Sequence, residues 1–177
     1  MLVNDHHLTT IWYEDHIDKV KIIDQRLLPY ELKIVEINTI EEVCFAIKEM
    51  QVRGAPLIGI TAAFGMYVAA RKNSNLDFLI KTAENLKITR PTAVNLSWAV
   101  DRILNQISSI QENNRENHIL NLAKQMRSED INSCNLIGEN GFSLIESIYK
   151  EKKSTVNILT HCNAGWLATV DWGTALS

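Results

Sequence analysis

Between Arg53 and Arg71 the sequence runs Gly54-Ala55-Pro56 and then Leu57-Ile58-Gly59-Ile60-Thr61-Ala62-Ala63-Phe64-Gly65-Met66-Tyr67-Val68-Ala69-Ala70. Leu57–Arg71 predicts a helix that is apolar nearly all round, and such a helix has to be buried. Pro56 suits its first turn. Gly59 and Gly65 each cost about 1 kcal/mol against alanine inside a helix, and glycines there permit close approach by another backbone. The stretch is shorter than the roughly 18 to 20 apolar residues that span a bilayer. It therefore reads as the buried helix of a globular fold and gives no membrane partner.

The other elements follow from periodicity. Thr10–Tyr13, Lys19–Asp24 and Leu32–Ile37 contain β-formers, and the last alternates polar with apolar, predicting a small antiparallel sheet with one wet face. Thr39 followed three residues later by Glu42 is a capping-box signature that opens a helix running to Met50. Further helices are expected over Leu76–Ile88 and Ala93–Ile110, separated by Thr89-Arg90-Pro91-Thr92. His118–Tyr149 is helical in pattern, with an interruption expected near Arg127–Asp130 or Gly138–Gly141. Polar Gln111–Asn117 reads as a loop or an exposed helix start. Asp101-Arg102 and Glu129-Asp130 read as solvated helix faces, and Trp98, Trp166 and Trp172 as packing residues.

The last segment differs in kind. Thr155–Thr160 predicts a strand, His161-Cys162-Asn163-Ala164-Gly165 a tight loop, and Leu167–Leu176 a helix built on small residues. Strand, polar loop and helix start are the opening unit of a parallel α/β sheet. The fold class expected is an α+β domain over residues 1–150, a small antiparallel sheet plus a helical bundle. The first strand-loop-helix unit of an incomplete Rossmann-like domain is expected over 151–177.

The 177 residues carry 18 basic and 21 acidic side chains, a formal net charge of -3. A free-standing nucleic-acid binder carries a basic excess, so nucleic acid is not an expected partner. The N-terminus lacks the charged and apolar regions of a signal peptide. Cys44, Cys134 and Cys162 are an odd, widely spaced set with no Cys-x-x-Cys, which argues for a reducing, cytoplasmic setting and against a disulfide framework or structural zinc site.

Three places could carry chemistry. Arg53-Gly54-Ala55-Pro56 stands at a helix N-terminus, where free N–H groups, the dipole and a cation favour a phosphate or carboxylate. A surface turn with a solvated arginine would have the same sequence. Arg90, before Pro91, is a second cation at a helix entry with the same two readings. Cys162 follows the expected strand and precedes a helix, a setting that favours a thiolate. The alternative is a small buried hydrophobe, the reading given to Cys44 and Cys134. His6, His7, His16 and His118 have no ligand spacing and read as surface residues, so no metal site is expected. Asp171, nine residues beyond Cys162, is expected to face away from the loop.

Val52-Arg53-Gly54-Ala55-Pro56-Leu57-Ile58-Gly59-Ile60-Thr61-Ala62-Ala63-Phe64-Gly65, Arg90–Ala99, and Thr160-His161-Cys162-Asn163-Ala164-Gly165 with Gly173-Thr174-Ala175-Leu176 together resemble one family over the whole chain. They are similar to the S-methyl-5-thioribose-1-phosphate isomerases of methionine salvage, relatives of the regulatory subunits of the exchange factor for translation initiation factor 2. The resemblance implies that Arg53, Gly54 and Ala55 bind substrate phosphate, that Arg90 also contacts substrate, and that Cys162 is catalytic. It implies conversion of 5-methylthioribose 1-phosphate to 5-methylthioribulose 1-phosphate with neither metal nor cofactor, in a homodimer.

Family members are markedly longer, and their catalytic aspartate lies in the later part of the α/β domain. Asp171 matches no catalytic position and takes no acid role. The expectation is an N-terminal part of the isomerase, inactive alone, arising from a truncated gene, an engineered cut or a split enzyme completed by a separate C-terminal chain. Two other functions fit the same residues: a non-catalytic interaction module of the exchange-factor type, and an isomerase for another sugar phosphate such as ribose 1,5-bisphosphate.

Overall fold

The computed structural model describes residues 1–3 and 5–177. The apolar segment forms a helix over Ala55–Lys72 in which every residue from Leu57 to Ala70 is buried. Its lack of a polar face dictates the rest, because neighbours have to cover it on all sides. In chain order the elements are β1 (Leu2–Val3), β2 (His6–His7), β3 (Ile11–Glu14), β4 (Lys19–Ile23), β5 (Ile34–Ile37), α1 (Ile40–Lys48), α2 (Ala55–Lys72), α3 (Leu76–Thr89), α4 (Val94–Ile107), α5 (Glu112–Lys152) and a 3-10 turn at Trp166–Ala168. Helices α1, α3, α4 and α5, strand β3 and the 3-10 turn all pack on α2.

The glycines of α2 mark where its neighbours come nearest. A Cβ on Gly59 would lie 2.9 Å from the Asn95 carbonyl oxygen on α4, and one on Gly65 would lie 2.7 Å from a Val43 methyl on α1. Thr61, buried in the same helix, donates its hydroxyl to the Leu57 carbonyl at 2.7 Å and so leaves no polar atom unpaired.

Strands β3, β4 and β5 form an antiparallel sheet in that order. Pairings Ile11 with Ile22 and Val20 with Ile37 put the apolar residues on one face, where all four are buried. Lys21 lies on the wet face, within 2.6 Å of Glu14 and 3.8 Å of Glu36. Asp18, in the β3–β4 turn, accepts hydrogen bonds from the hydroxyls of Tyr13 (2.6 Å) and Tyr67 of α2, which ties the sheet to the central helix. The capping box of α1 is present: Thr39 accepts from the Glu42 N–H at 3.2 Å, and Glu42 accepts from the Thr39 N–H at 3.1 Å.

Several expectations are corrected. The antiparallel pair β1 and β2 adds two short strands ahead of the three that were named. Helix α5 runs 41 residues without interruption at Arg127–Asp130 or Gly138–Gly141, and its start at Glu112 makes most of Gln111–Asn117 an exposed helix start, the second of the two readings of that stretch. Its first half buries Ile119, Leu122, Ala123 and Met126, so packing sustains the helix, and Gly138 admits the Ser177 backbone. Asp101-Arg102 and Glu129-Asp130 are not simply solvated, since Arg102 grips both carboxylate oxygens of Glu129 between α4 and α5. Trp98 and Trp172 are about half exposed, at 49% and 48%.

The expected strand-loop-helix unit does not form among the described residues: 155–160 pair with no strand, and the helix over 167–176 is reduced to one 3-10 turn. A parallel strand needs hydrogen-bonded neighbours and its helix needs a sheet to cover. Thr169–Asp171 instead run beside the start of β3, where Thr10 donates its N–H to the Val170 carbonyl at 3.1 Å. Among the described residues, no helix is long and apolar enough to cross a membrane.

Two glycine-to-alanine variants, one packed in α2 and one open in α5, are compared by thermal unfolding. Gly59→Ala is expected to destabilise by about 1–3 kcal/mol, because the Asn95 backbone cannot give way as a side chain could. Gly141→Ala, with nothing within 4 Å of its would-be Cβ, is expected to stabilise by about 0.5–1 kcal/mol.

Candidate active site

Helix α2 is buried along its body and meets solvent at its two ends, of which the N-terminal one carries the free N–H donors. Gly54, its N-cap residue, has φ +111°. A side chain there would be strained, and its Cβ would overlap the backbone of Ala168 in the 3-10 turn. The turn that follows Cys162 is thus pressed against the α2 N-terminus, a closeness that only glycine permits.

A cleft of about 440 Å³ opens at this point. Arg53, Gly54, Ala55 and Ile58 line it from the start of α2, Arg90, Thr92 and Ala93 from the entry to α4, and Cys162 and Asn163 from the following loop. All five residues singled out in the sequence (Arg53, Gly54, Ala55, Arg90 and Cys162) therefore share one cleft, which separate motifs could not show.

The electrostatics of the cleft have one sign. Helices α1, α3 and α5 carry acidic residues in their first turns, whereas α2 and α4 carry none and have no side-chain cap. Their starts are the two that line the cleft, so two sets of free N–H groups and two positive dipole ends meet there. Arg53 and Arg90 add two cations, and no carboxylate lines the space. The Arg90 Nη1 atom is buried without a hydrogen-bond partner. An orphaned, charged donor beside uncapped helix starts is what a bound oxyanion would satisfy.

Cys162 is exposed, with φ +72°. The helix expected to follow it is absent, so the helix N-termini sharing its cleft are those of α2 and α4. Cys134 is buried and Cys44 half-buried, as their helical stripes predict. His161, beside Cys162, is exposed and lies outside the cleft lining.

Asp171 also lies outside the lining. It is buried, 2.6 Å from both the terminal ammonium and the His7 imidazole. This clasp holds the β1–β2 hairpin on the 169–172 segment, so His7 has a partner that the sequence did not indicate. A larger groove of about 680 Å³ runs between the second half of α5 and residues 172–177, where Glu139 is the lining residue with a titratable side chain. Among the described residues, no three of His, Cys, Asp and Glu are grouped so as to hold a metal ion.

Sequence reasoning missed the layer behind the cleft. Asp24, buried just after β4, accepts from Arg26 Nε at 2.9 Å and Nη2 at 2.7 Å, and from Gln51 Nε2 at 2.7 Å. The Arg26 guanidinium, helped by Gln51, lowers the Asp24 carboxyl from 3.8 to about 2. Polar residues straight after an apolar strand were the only signal for this layer, and turns share it.

Residues 51–171 match the Initiation factor 2 subunit family. The chain belongs to that family. Among its relatives, a methylthioribose-1-phosphate isomerase from Methylocella silvestris is 48% identical over 99% of this chain and 48% of that protein. One from Rhizobium meliloti is 45% identical over 99% of this chain and 49% of that protein. Two solved structures share the family fold. The 5-methylthioribose 1-phosphate isomerase of Pyrococcus horikoshii superposes with a TM-score of 0.80 at 39% identity, covering 94% of this chain and 47% of that one. Subunit delta of translation initiation factor eIF-2B from A. fulgidus gives 0.77 at 36% identity, covering 96% and 49%. The chain spans about half the length of the curated relatives it matches.

The Asp24 carboxylate predicts a pH dependence of stability. Its folded pKa lies below its unfolded one, so its contribution is present above about pH 4 and is lost as pH falls through about 2. Unfolding measured from pH 5 downward is expected to show a loss approaching about 2 kcal/mol that is missing from Asp24→Asn.

Proposed function

We propose that this chain provides the phosphate-binding and thiol-bearing part of an aldose–ketose isomerase acting on 5-methylthioribose 1-phosphate in methionine salvage. The observation that carries this reading is the single cleft shared by Arg53, Gly54, Ala55, Arg90 and Cys162. Uncapped helix starts, two arginines and the unpartnered Arg90 Nη1 suit a phosphate dianion. The curated relatives named methylthioribose-1-phosphate isomerase support the choice of sugar phosphate.

The reaction moves hydrogen from C2 to C1 of the sugar with no net oxidation. Phosphate on the anomeric oxygen blocks simple opening to an aldehyde, so the chemistry calls for a firmly held phosphate and a matched acid–base pair. Arg53, Arg90 and the N–H groups at Gly54 and Ala55 would hold the phosphate. Cys162 would take part in proton transfer or in stabilising charge at C1–C2. Its acid partner would come from the portion present in the longer relatives.

Residues 151–177 are assigned to the beginning of a second, Rossmann-like domain. Completed by the rest of that domain, in the same or a separate polypeptide, 155–160 would gain parallel neighbours and pair as a strand. The longer protein is proposed to be a cytoplasmic homodimer. The likeness to an initiation-factor subunit supports a second reading, a non-catalytic interaction module. Arg53, Arg90 and Cys162 together in one anion-suited cleft favour the isomerase over it.

The test is turnover of 5-methylthioribose 1-phosphate by the chain alone and by the chain joined to the C-terminal half of an isomerase relative. The joined protein is expected to turn over, the chain alone to bind without turnover. Cys162→Ala is expected to abolish turnover, and Arg90→Met to weaken substrate binding by about tenfold to a hundredfold. Unchanged turnover in Cys162→Ala would remove the role given to the thiol. Preferential turnover of ribose 1,5-bisphosphate would replace the substrate.

A further inference from the structure

One buried residue behind the cleft reaches both of its walls. Gln25 follows β4 and is 1% exposed. Its backbone carbonyl accepts from Arg53 Nη2 at 3.3 Å, and its side-chain Nε2 donates to the Leu167 carbonyl at 2.7 Å. Its N–H donates to the Gln51 carbonyl at 2.9 Å, while Gln51 is itself held by Asp24. Gln25 thus meets the cation of the α1–α2 loop on one side and the segment following Cys162 on the other.

We infer that Gln25 is a positioning residue of the cleft, its buried amide holding the Cys162 loop in register with Arg53 and the α2 N-terminus. The inference rests on the reading of the cleft as a phosphate site.

The Leu167 carbonyl can only accept, so the amide NH₂ has to face it, and the hydrogen bond fixes the orientation of the Gln25 side chain. That leaves Oε1 buried and without a partner. A methionine would fill the same space without a buried unpaired oxygen of its own but would leave the Leu167 carbonyl without this donor, so filling space does not account for an amide here. The tie to Leu167 does.

The loop needs such a tie. Among the described residues, 154–165 belong to no helix or strand, and Cys162 and Gly165 both have positive φ. What fixes the loop is local: Asn163 Nδ2 donates to the Arg53 carbonyl at 3.3 Å, the 3-10 turn packs on Gly54, and Gln25 holds Leu167. Without the Gln25 amide, the phosphate anchors stay in place while the thiol loses its fixed position beside them.

The experiment follows alkylation of Cys162 by iodoacetamide, read by mass on the Cys162 peptide, with and without saturating inorganic phosphate. It compares the unaltered chain with Gln25→Met and Gln25→Glu, the second placing a carboxylate against the Leu167 carbonyl. Phosphate affinity is measured separately by calorimetry, and folding by circular dichroism. In the unaltered chain, phosphate is expected to slow alkylation. In both variants, affinity is expected to stay within about twofold while protection of Cys162 falls about tenfold, the effect of losing one buried hydrogen bond. Protection undiminished in both variants overturns the positioning role and leaves the phosphate site standing. Affinity and protection lost together with the folded signal, in both variants, would show a purely structural role and also overturn it. Absence of phosphate binding in the unaltered chain overturns the phosphate site itself, and the inference with it.

Discussion

Everything in this fold depends on burying one helix that has no polar side. Fourteen consecutive residues of α2, Leu57 to Ala70, are shielded from water. Four helices, strand β3 and the 3-10 turn provide the cover, and two glycines set the distances of closest approach. A core built on a single central rod leaves its N-terminal end as the place where unpaired backbone donors, buried structure and solvent meet.

That end is where the polar chemistry collects. The start of α4 lies at the same cleft, so two helix dipoles point their positive ends into one space with Arg53 and Arg90. Elsewhere the helices are conventional: α1 and α3 have side-chain caps, and α5 begins with Glu112. An acidic residue or a cap at α2 or α4 would serve stability, yet it would compete with an incoming anion for the same N–H groups. The two bare starts, the unpartnered Arg90 donor and the absence of carboxylates from the lining are one consistent electrostatic arrangement. Behind it, the Asp24–Arg26–Gln51 cluster and Gln25 provide a buried polar support that ties the sheet to both loops.

Local rules carried the sequence reading where local forces dominate. The capping box of Thr39 and Glu42, the alternation in Leu32–Ile37 and the apolar stretch after Pro56 all announced their elements. Arg53, Arg90 and Cys162 were legible as separate candidates through their positions at expected element ends, but their convergence depends on the packing of α2, α4 and the 3-10 turn. Residues 155–176 show the converse. Their pattern suits a strand and a helix, but neither is self-sufficient, and without parallel neighbours the segment docks beside Thr10 instead. Gly138 and Gly141 looked like breaks, whereas the long α5 helix is sustained by packing of its first half and admits the C-terminal residues at Gly138. Asp171 and His7 stand 164 positions apart, so no spacing rule could have paired them.

The central claim, that the joined starts of α2 and α4 hold a phosphate beside Cys162, is tested most directly by amide NMR. The chain, labelled with nitrogen-15, is titrated with 5-methylthioribose 1-phosphate. The account predicts saturable shifts concentrated at the amides of Gly54, Ala55, Ala93 and Cys162, with the amides along the second half of α5 unmoved. Shifts centred on the α5 groove, or none at Gly54 and Ala55 at saturating ligand, would contradict it.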